Sequence, residues 1–160
     1  MPVTVAIETP LQDDVRALVG ALNAHLLPLS PLEFQFKMTV EQMAGPDTTV
    51  FVARDEHGQA VGCGALKLHA DGLGEVKRMF TDPPVRGQRV GSALLDAIVE
   101  EARMRGVARL VLETGEGDGF DGAYRLYERS GFRRCGVVLD YPDSQWSRFY
   151  ERHLHHDAPT

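Results

Sequence analysis

A chain of 160 residues is long enough for one domain with a sizeable core. Its 43% hydrophobic and 25% charged residues are ordinary globular proportions, and no apolar run approaches the ~20 residues of a membrane span. A formal net charge of −6 argues against a nucleic-acid partner, so nucleic acid and membrane are both excluded as expected partners.

The opening "MPVTVAIETP" lacks the basic region and long apolar stretch of a secretory leader. Within it "VTVAI" reads as a first strand, ended by Thr9-Pro10. "LQDDVRALVGALNAHLLPL" follows with helical spacing through Leu11, Val15, Leu18, Val19 and Leu22, and Pro28 and Pro31 break it. "LEFQFKMTVEQM" carries both an alternating pattern (Leu32, Phe34, Phe36) and helix formers, and a second short helix is expected there. "TTVFVARD" and "AVGCGALKL" flank the turn "EHGQ" as an antiparallel hairpin. "GEVKRMFT" is a further strand, stopped by Asp82-Pro83-Pro84.

A helix then runs from Val90 to Gly106, with Val90, Ala93, Leu94, Ala97, Ile98 and Ala102 on its apolar face. "ARLVLET" reads as a buried strand, "TGEGDGF" as a flexible turn, and "FDGAYRLYERSG" as a short helix closed by Gly131. "FRRCGVVLDY" and "SRFYERHL" supply the last strands. The polar ending "HLHHDAPT", with His153, His155 and His156, reads as a frayed terminus, and residues 155–160 are expected to be a disordered tail. The order of elements predicts an α+β domain over residues 1–154, with a mixed sheet and helices on both faces. Cys63 and Cys135 are far apart and lack metal-type spacing, so free thiols in the cytoplasm are expected, with no metal site.

The stretch "VRGQRVGSALL" places glycines and arginines where a helix begins. Unbonded N–H groups and the positive end of the helix dipole point there, which suits an anion. Lys77, Arg78, Arg86 and Arg89 lie within thirteen residues, opposed only by Asp82. Such a local patch in an acidic protein fits one compact anionic ligand better than a polyanionic strand. A plain loop-to-helix junction with solvated arginines is the competing reading. A phosphate-cradling GxxxxGK[ST] loop does not occur.

"GEVKRMFTDPPVRGQRVGSALL", followed by "AYRLYERSGF", resembles the GNAT superfamily of acetyl-CoA-dependent N-acetyltransferases. The family signature [Q/R]-x-x-G-x-[G/A] aligns with Arg86, Gly87, Gln88, Arg89, Val90 and Gly91, Arg89 replacing the first glycine. The resemblance covers roughly residues 50–132, and the ending "DYPDSQWSRFYERHL" is similar to a small bacterial subgroup. It implies a mostly antiparallel sheet and acetyl-CoA as cosubstrate. Met79, Phe80 and Thr81 would pair with the pantetheine arm, and the N–H groups of Gly87 through Gly91 and Ser92 would hold the diphosphate. Glu75, eleven residues before Arg86, would be the general base, and Tyr127 would protonate the departing thiolate.

Alternatives stay open at each position. Glu75 is also readable as a solvated carboxylate or a partner of Lys77, with Glu113 the rival base. Tyr127 is also readable as a packed aromatic, and Tyr124 as core. Phe120 stands where the family usually carries an asparagine, and Trp146 fits either the core or an acceptor pocket. The expected activity is transfer of acetyl to a primary amine of a small molecule, with a cationic amine favoured by the acidic balance. A non-catalytic acyl-CoA-binding module and a protein N-terminal or lysine acetyltransferase are the alternatives. Pairing into a homodimer is left open.

Overall fold

The computed structural model describes residues 3–86 and 88–154. Gly87 and residues 155–160, the expected tail, lie outside the described residues.

The strands form where β-branched and aromatic residues cluster. In chain order they are β1 (Thr4–Ile7), β2 (Thr48–Arg54), β3 (Ala60–Leu68), β4 (Leu73–Thr81), β5 (Arg109–Gly115), β6 (Arg133–Cys135) and β7 (Ser147–His153). They make one sheet in the order β1-β2-β3-β4-β5-β7-β6. Every pairing is antiparallel except β4 with β5. The mixed, mostly antiparallel sheet expected from the sequence is present.

The helices are α1 (Asp13–Leu26), α2 (Val40–Met43), α3 (Val90–Met104) and α4 (Asp121–Arg129). Successive residues of a strand face opposite ways, so Ala65 joins one cluster and Leu66 another. On one face α1 and α2 bury Val15, Val19 and Met43 against Val50, Val52 and Ala65. On the other, α3 and α4 bury Leu94, Ile98 and Tyr127 against Leu66, Leu110 and Tyr150. Helices therefore cover both faces. Cys63 and Cys135 are free thiols, and burial pushes that of Cys63 up to about 12, which makes it inert.

Four sequence expectations are corrected. The first helix starts at Asp13, and Leu11 is exposed ahead of it. The stretch 32–43 is not one helix: a single 3-10 turn spans Leu32–Phe34, and α2 keeps only four residues. Thr39 caps α2 reciprocally with Gln42, so no helix continues into it from upstream. Finally, "FRRCGVVLDY" is strand only over Arg133–Cys135. Beyond Gly136 the chain leaves the sheet, Val138 packs on Val111 and Phe149, and Leu139 takes a positive φ of 53°. His153, expected in the frayed tail, is instead the last residue of β7, paired with Arg109.

The parallel pair β4–β5 is brief. Leu73, Gly74 and Glu75 pair with Arg109, Leu110 and Val111, and no pair follows. In β4 a bulge sets Arg78 and Met79 together opposite Gly64, and Arg78 adopts a left-handed φ of 56°. A bulge bends its strand and sharpens the twist. Meanwhile β5 stays paired with β7 along its whole length, to Gly115. The two strands therefore part, and the N-terminus of α3, in the segment that connects them, lines the cavity there.

The fit of α3 to the sheet depends on Leu94, which is fully buried. Leu94→Ala is expected to destabilise the fold by ~2–5 kcal/mol, read from the urea midpoint with an unchanged m-value.

Candidate active site

Where β4 and β5 diverge, a cavity of about 830 Å³ passes between them. Its two ends differ in chemistry. At one end stands the N-terminus of α3. Arg89, with a left-handed φ of 62°, caps the helix without a side-chain bond. The first N–H bonded within the helix is that of Ala93, to the Arg89 carbonyl at 3.0 Å. The N–H groups of Val90, Gly91 and Ser92 precede it and have no acceptor in the helix. A Cβ on Gly91 would stand 3.1 Å from Leu126, so the helix start packs tightly on α4.

The expected cofactor residues are largely brought together. Met79, Phe80, Thr81, Arg86, Arg89, Val90, Gly91 and Ser92 all line the cavity, but Gln88 is exposed and does not. Gly87 falls outside the described residues. Arg86 is already engaged: Nε donates to the Thr81 carbonyl at 3.0 Å, and the guanidinium lies 5.6 Å from the Phe80 ring centre. Its first task is to fasten the loop. Arg125 and Arg129 of α4 line the same end, and with Arg89 they form no ion pair among the described residues. Sequence reasoning missed these two; their spacing of four on a helix puts both on one face.

At the other end lie the acids. Glu75, only 3% exposed, accepts from His69 Nε2 at 3.0 Å and Lys77 Nζ at 3.4 Å, and from the Tyr141 hydroxyl. The Lys77 pairing weighed on the sequence is thus present, and Glu75 is not solvated. Tyr141 also accepts from Lys77 at 2.7 Å; burial first, then the Glu75 charge, raise its phenol above the usual range. Glu113 lines the cavity nearby and accepts from the Ser147 hydroxyl at 2.8 Å. Burial raises the Glu113 carboxyl to about 7, against the lowering effects of Ser147 and Lys77. Tyr127 is buried at the cavity wall, and desolvation keeps its phenol well above the ordinary value.

The roof at this end comes from the loop after α1. Gln35 Nε2 donates to the carbonyls of Leu26, Leu27 and Ser30 at 3.0, 3.2 and 2.7 Å, which pins the loop. Phe36 then meets Tyr141 edge-on, with ring centres 5.1 Å apart. Trp146 stacks on Phe34 and is not among the cavity-lining residues, and the Tyr124 hydroxyl donates to the Gly115 carbonyl. Phe120 packs its ring over Gly115, where any side chain would collide with it.

Residues 46–134 match the family model described as an acetyltransferase (GNAT) domain. An IAA acetyltransferase of Azospirillum brasilense is 40% identical over 153 residues, covering 95% of this chain and 98% of that one. The chain belongs to the GNAT acetyltransferase family. It is an acetyl-CoA-dependent N-acetyltransferase. A Klebsiella pneumoniae structure described as an acyl-CoA N-acyltransferase superposes with a TM-score of 0.80 at 33% identity, covering 96% and 98% of the two chains. The PaiA N-acetyltransferase of Thermoplasma acidophilum, solved with coenzyme A, shares the fold (TM-score 0.74, 14% identity, 96% and 100% covered).

The acetyltransferase's cavity fits acetyl-CoA on its own chemistry. Unbonded N–H groups and three unpaired arginines suit a diphosphate, and the gap between the strands leads from there to the acids. Among the described residues, no group of three or more His, Cys, Asp or Glu is placed to hold a metal ion.

Glu113 also links the site to stability. Its folded pKa of about 7 lies above the ordinary 4.5, so the folded state keeps a proton that the unfolded chain releases. The stability this confers is full below about 4.3 and is lost as pH rises through 7. Thermal denaturation of Glu113→Gln should therefore show a gain over the parent that grows from pH 4.5 to 7. A pH-independent difference would contradict the raised carboxyl.

Proposed function

We propose that this acetyltransferase moves the acetyl group of acetyl-CoA onto the primary amine of a small molecule by direct attack. One observation carries the reading: a single cavity joins an anion-ready helix end to a buried carboxyl–phenol pair through the split between β4 and β5. Acetyl-CoA supplies an activated thioester. The N–H groups of α3, with Arg89, Arg125 and Arg129, hold its diphosphate, and the free edge of β4 at Met79, Phe80 and Thr81 pairs with the pantetheine arm. The roof of Phe34, Gln35 and Phe36 supports a small acceptor over a protein chain, because it covers the acid end of the cavity. A cytoplasmic setting suits the two free thiols.

The chemistry needs a base, since an alkyl amine with a pKa of ~10.4 arrives protonated at neutral pH. Of the two candidates, Glu113 is favoured. Its carboxyl near 7 is matched to the task, and the Ser147 hydroxyl leaves it lone pairs to use. Glu75 already accepts three hydrogen bonds, one from an ammonium, which leaves its carboxylate fully engaged. We assign it to orienting Tyr141 and Lys77 instead. Glu113 takes one proton from the ammonium, which frees the nitrogen lone pair to bond to the acetyl carbon, and the nitrogen gives up its second proton to solvent as the adduct collapses to the amide. Tyr127 gives one to the sulfur as the carbon–sulfur bond breaks and its electron pair leaves with sulfur. Exchange with solvent restores both side chains.

The acid limb of kcat/KM should inflect near pH 7. Glu113→Gln is expected to lower the rate ~10²–10⁴-fold and abolish that limb, whereas Glu75→Gln leaves the limb in place. Tyr127→Phe should slow turnover while barely moving the KM for acetyl-CoA. A limb lost in Glu75→Gln and kept in Glu113→Gln would return the base to Glu75.

A further inference from the structure

The cationic cluster read from the sequence is split by the fold. Arg86 and Arg89 stand at the α3 end of the cavity, but Arg78 does not. The bulge turns Arg78 towards α1, on the opposite face of the sheet, where Nη2 donates to Asn23 Oδ1. Arg78 is only 9% exposed, yet it lines the cavity. Its Nε has no hydrogen-bond partner, and no carboxylate lies within ion-pair distance among the described residues.

A buried guanidinium without a counter-charge is an unfavourable arrangement in an apo protein. Asn23 supplies one neutral acceptor, and the fork of the guanidinium is built to hold two oxygens of one planar anion. Arg78 is also held in a left-handed conformation that residues other than glycine rarely adopt, the kind of outlier that clusters at ligand sites. The diphosphate cannot be the missing partner, because its site lies at the N-terminus of α3 on the other face. Arg78 lines the same cavity as the acids, and its guanidinium charge, with Nε itself buried, is left for the acceptor.

We infer that the acceptor is an amino acid, a small amine whose carboxylate is held by Arg78 while its amino group faces the acids. This rests on the small-amine reading above and narrows it. Leu22, Leu26, Phe34 and Phe36 line the same cavity, together with the polar His25, Ser30, Gln35 and Lys37, and give an apolar side chain surface to pack on. The inference narrows the expectation of a small amine, whose cationic preference came from the overall charge and not from the pocket.

Matched pairs differing only in the carboxylate test it: L-phenylalanine against 2-phenylethylamine, and L-leucine against isoamylamine, followed by thiol release from acetyl-CoA. The parent enzyme should favour each amino acid over its amine at least tenfold in kcat/KM, and 3-phenylpropanoate should compete with phenylalanine. Arg78→Gln should raise the KM for the amino acids at least tenfold and leave the KM values for the amines and acetyl-CoA unchanged. Arg78→Lys should recover part of the loss. Should Arg78→Gln fail to fold, the parent's preference and its inhibition by 3-phenylpropanoate still decide. Amines acetylated as fast as amino acids, with no inhibition by 3-phenylpropanoate, would overturn the role of Arg78 and leave the small-amine reading standing. Acetylation of peptides alone would overturn both.

Discussion

The parallel pairing of β4 with β5 stops after three residue pairs, and the site depends on that interruption. Its cause is local. β5 is committed to β7 along its length, while the bulge at Arg78 and Met79 swings the end of β4 away. Had the ladder continued, its backbone groups would be satisfied and no passage would join the two faces of the sheet. The split instead leaves β4 with a free edge inside the molecule, an arrangement ready to accept one further extended chain. In this acetyltransferase we propose that the pantetheine arm is that chain.

Charge is then sorted by the sheet. Arg89, Arg125 and Arg129 gather at the α3 end, and Glu75 and Glu113 at the other. The two acids have different neighbours. Lys77, His69 and Tyr141 surround Glu75 with donors, whereas Glu113 has one hydroxyl and a desolvated setting. Two carboxyls in such different settings suit different parts in a reaction.

Much of this was legible in the sequence. The strand and helix order follows from alternating and helical apolar patterns, and "VRGQRVGSALL" marked the anion-ready helix by composition alone. The residues that were not legible share a physical reason: they reach the site from segments without periodicity. Tyr141 arrives because the chain leaves the sheet after three strand residues, and nothing in "GVVLDY" announces it. Gln35 acts through three carbonyls of a loop closed by prolines. Glu113 sat visibly on a buried strand, but its elevated carboxyl comes from burial by the surrounding packing, against the lowering effect of Ser147, and only the fold assembles both. The capping box of Thr39 and Gln42 was readable and would have confined the second helix to α2.

Amide hydrogen exchange with and without coenzyme A probes the proposed slot most directly. If the arm lies along the free edge of β4 and the diphosphate on α3, exchange slows at residues 76–81 and 90–92, and nearly not at all in β1 and β2. Protection confined to α1 and the outer strands, with residues 76–81 and 90–92 unchanged, would contradict the slot.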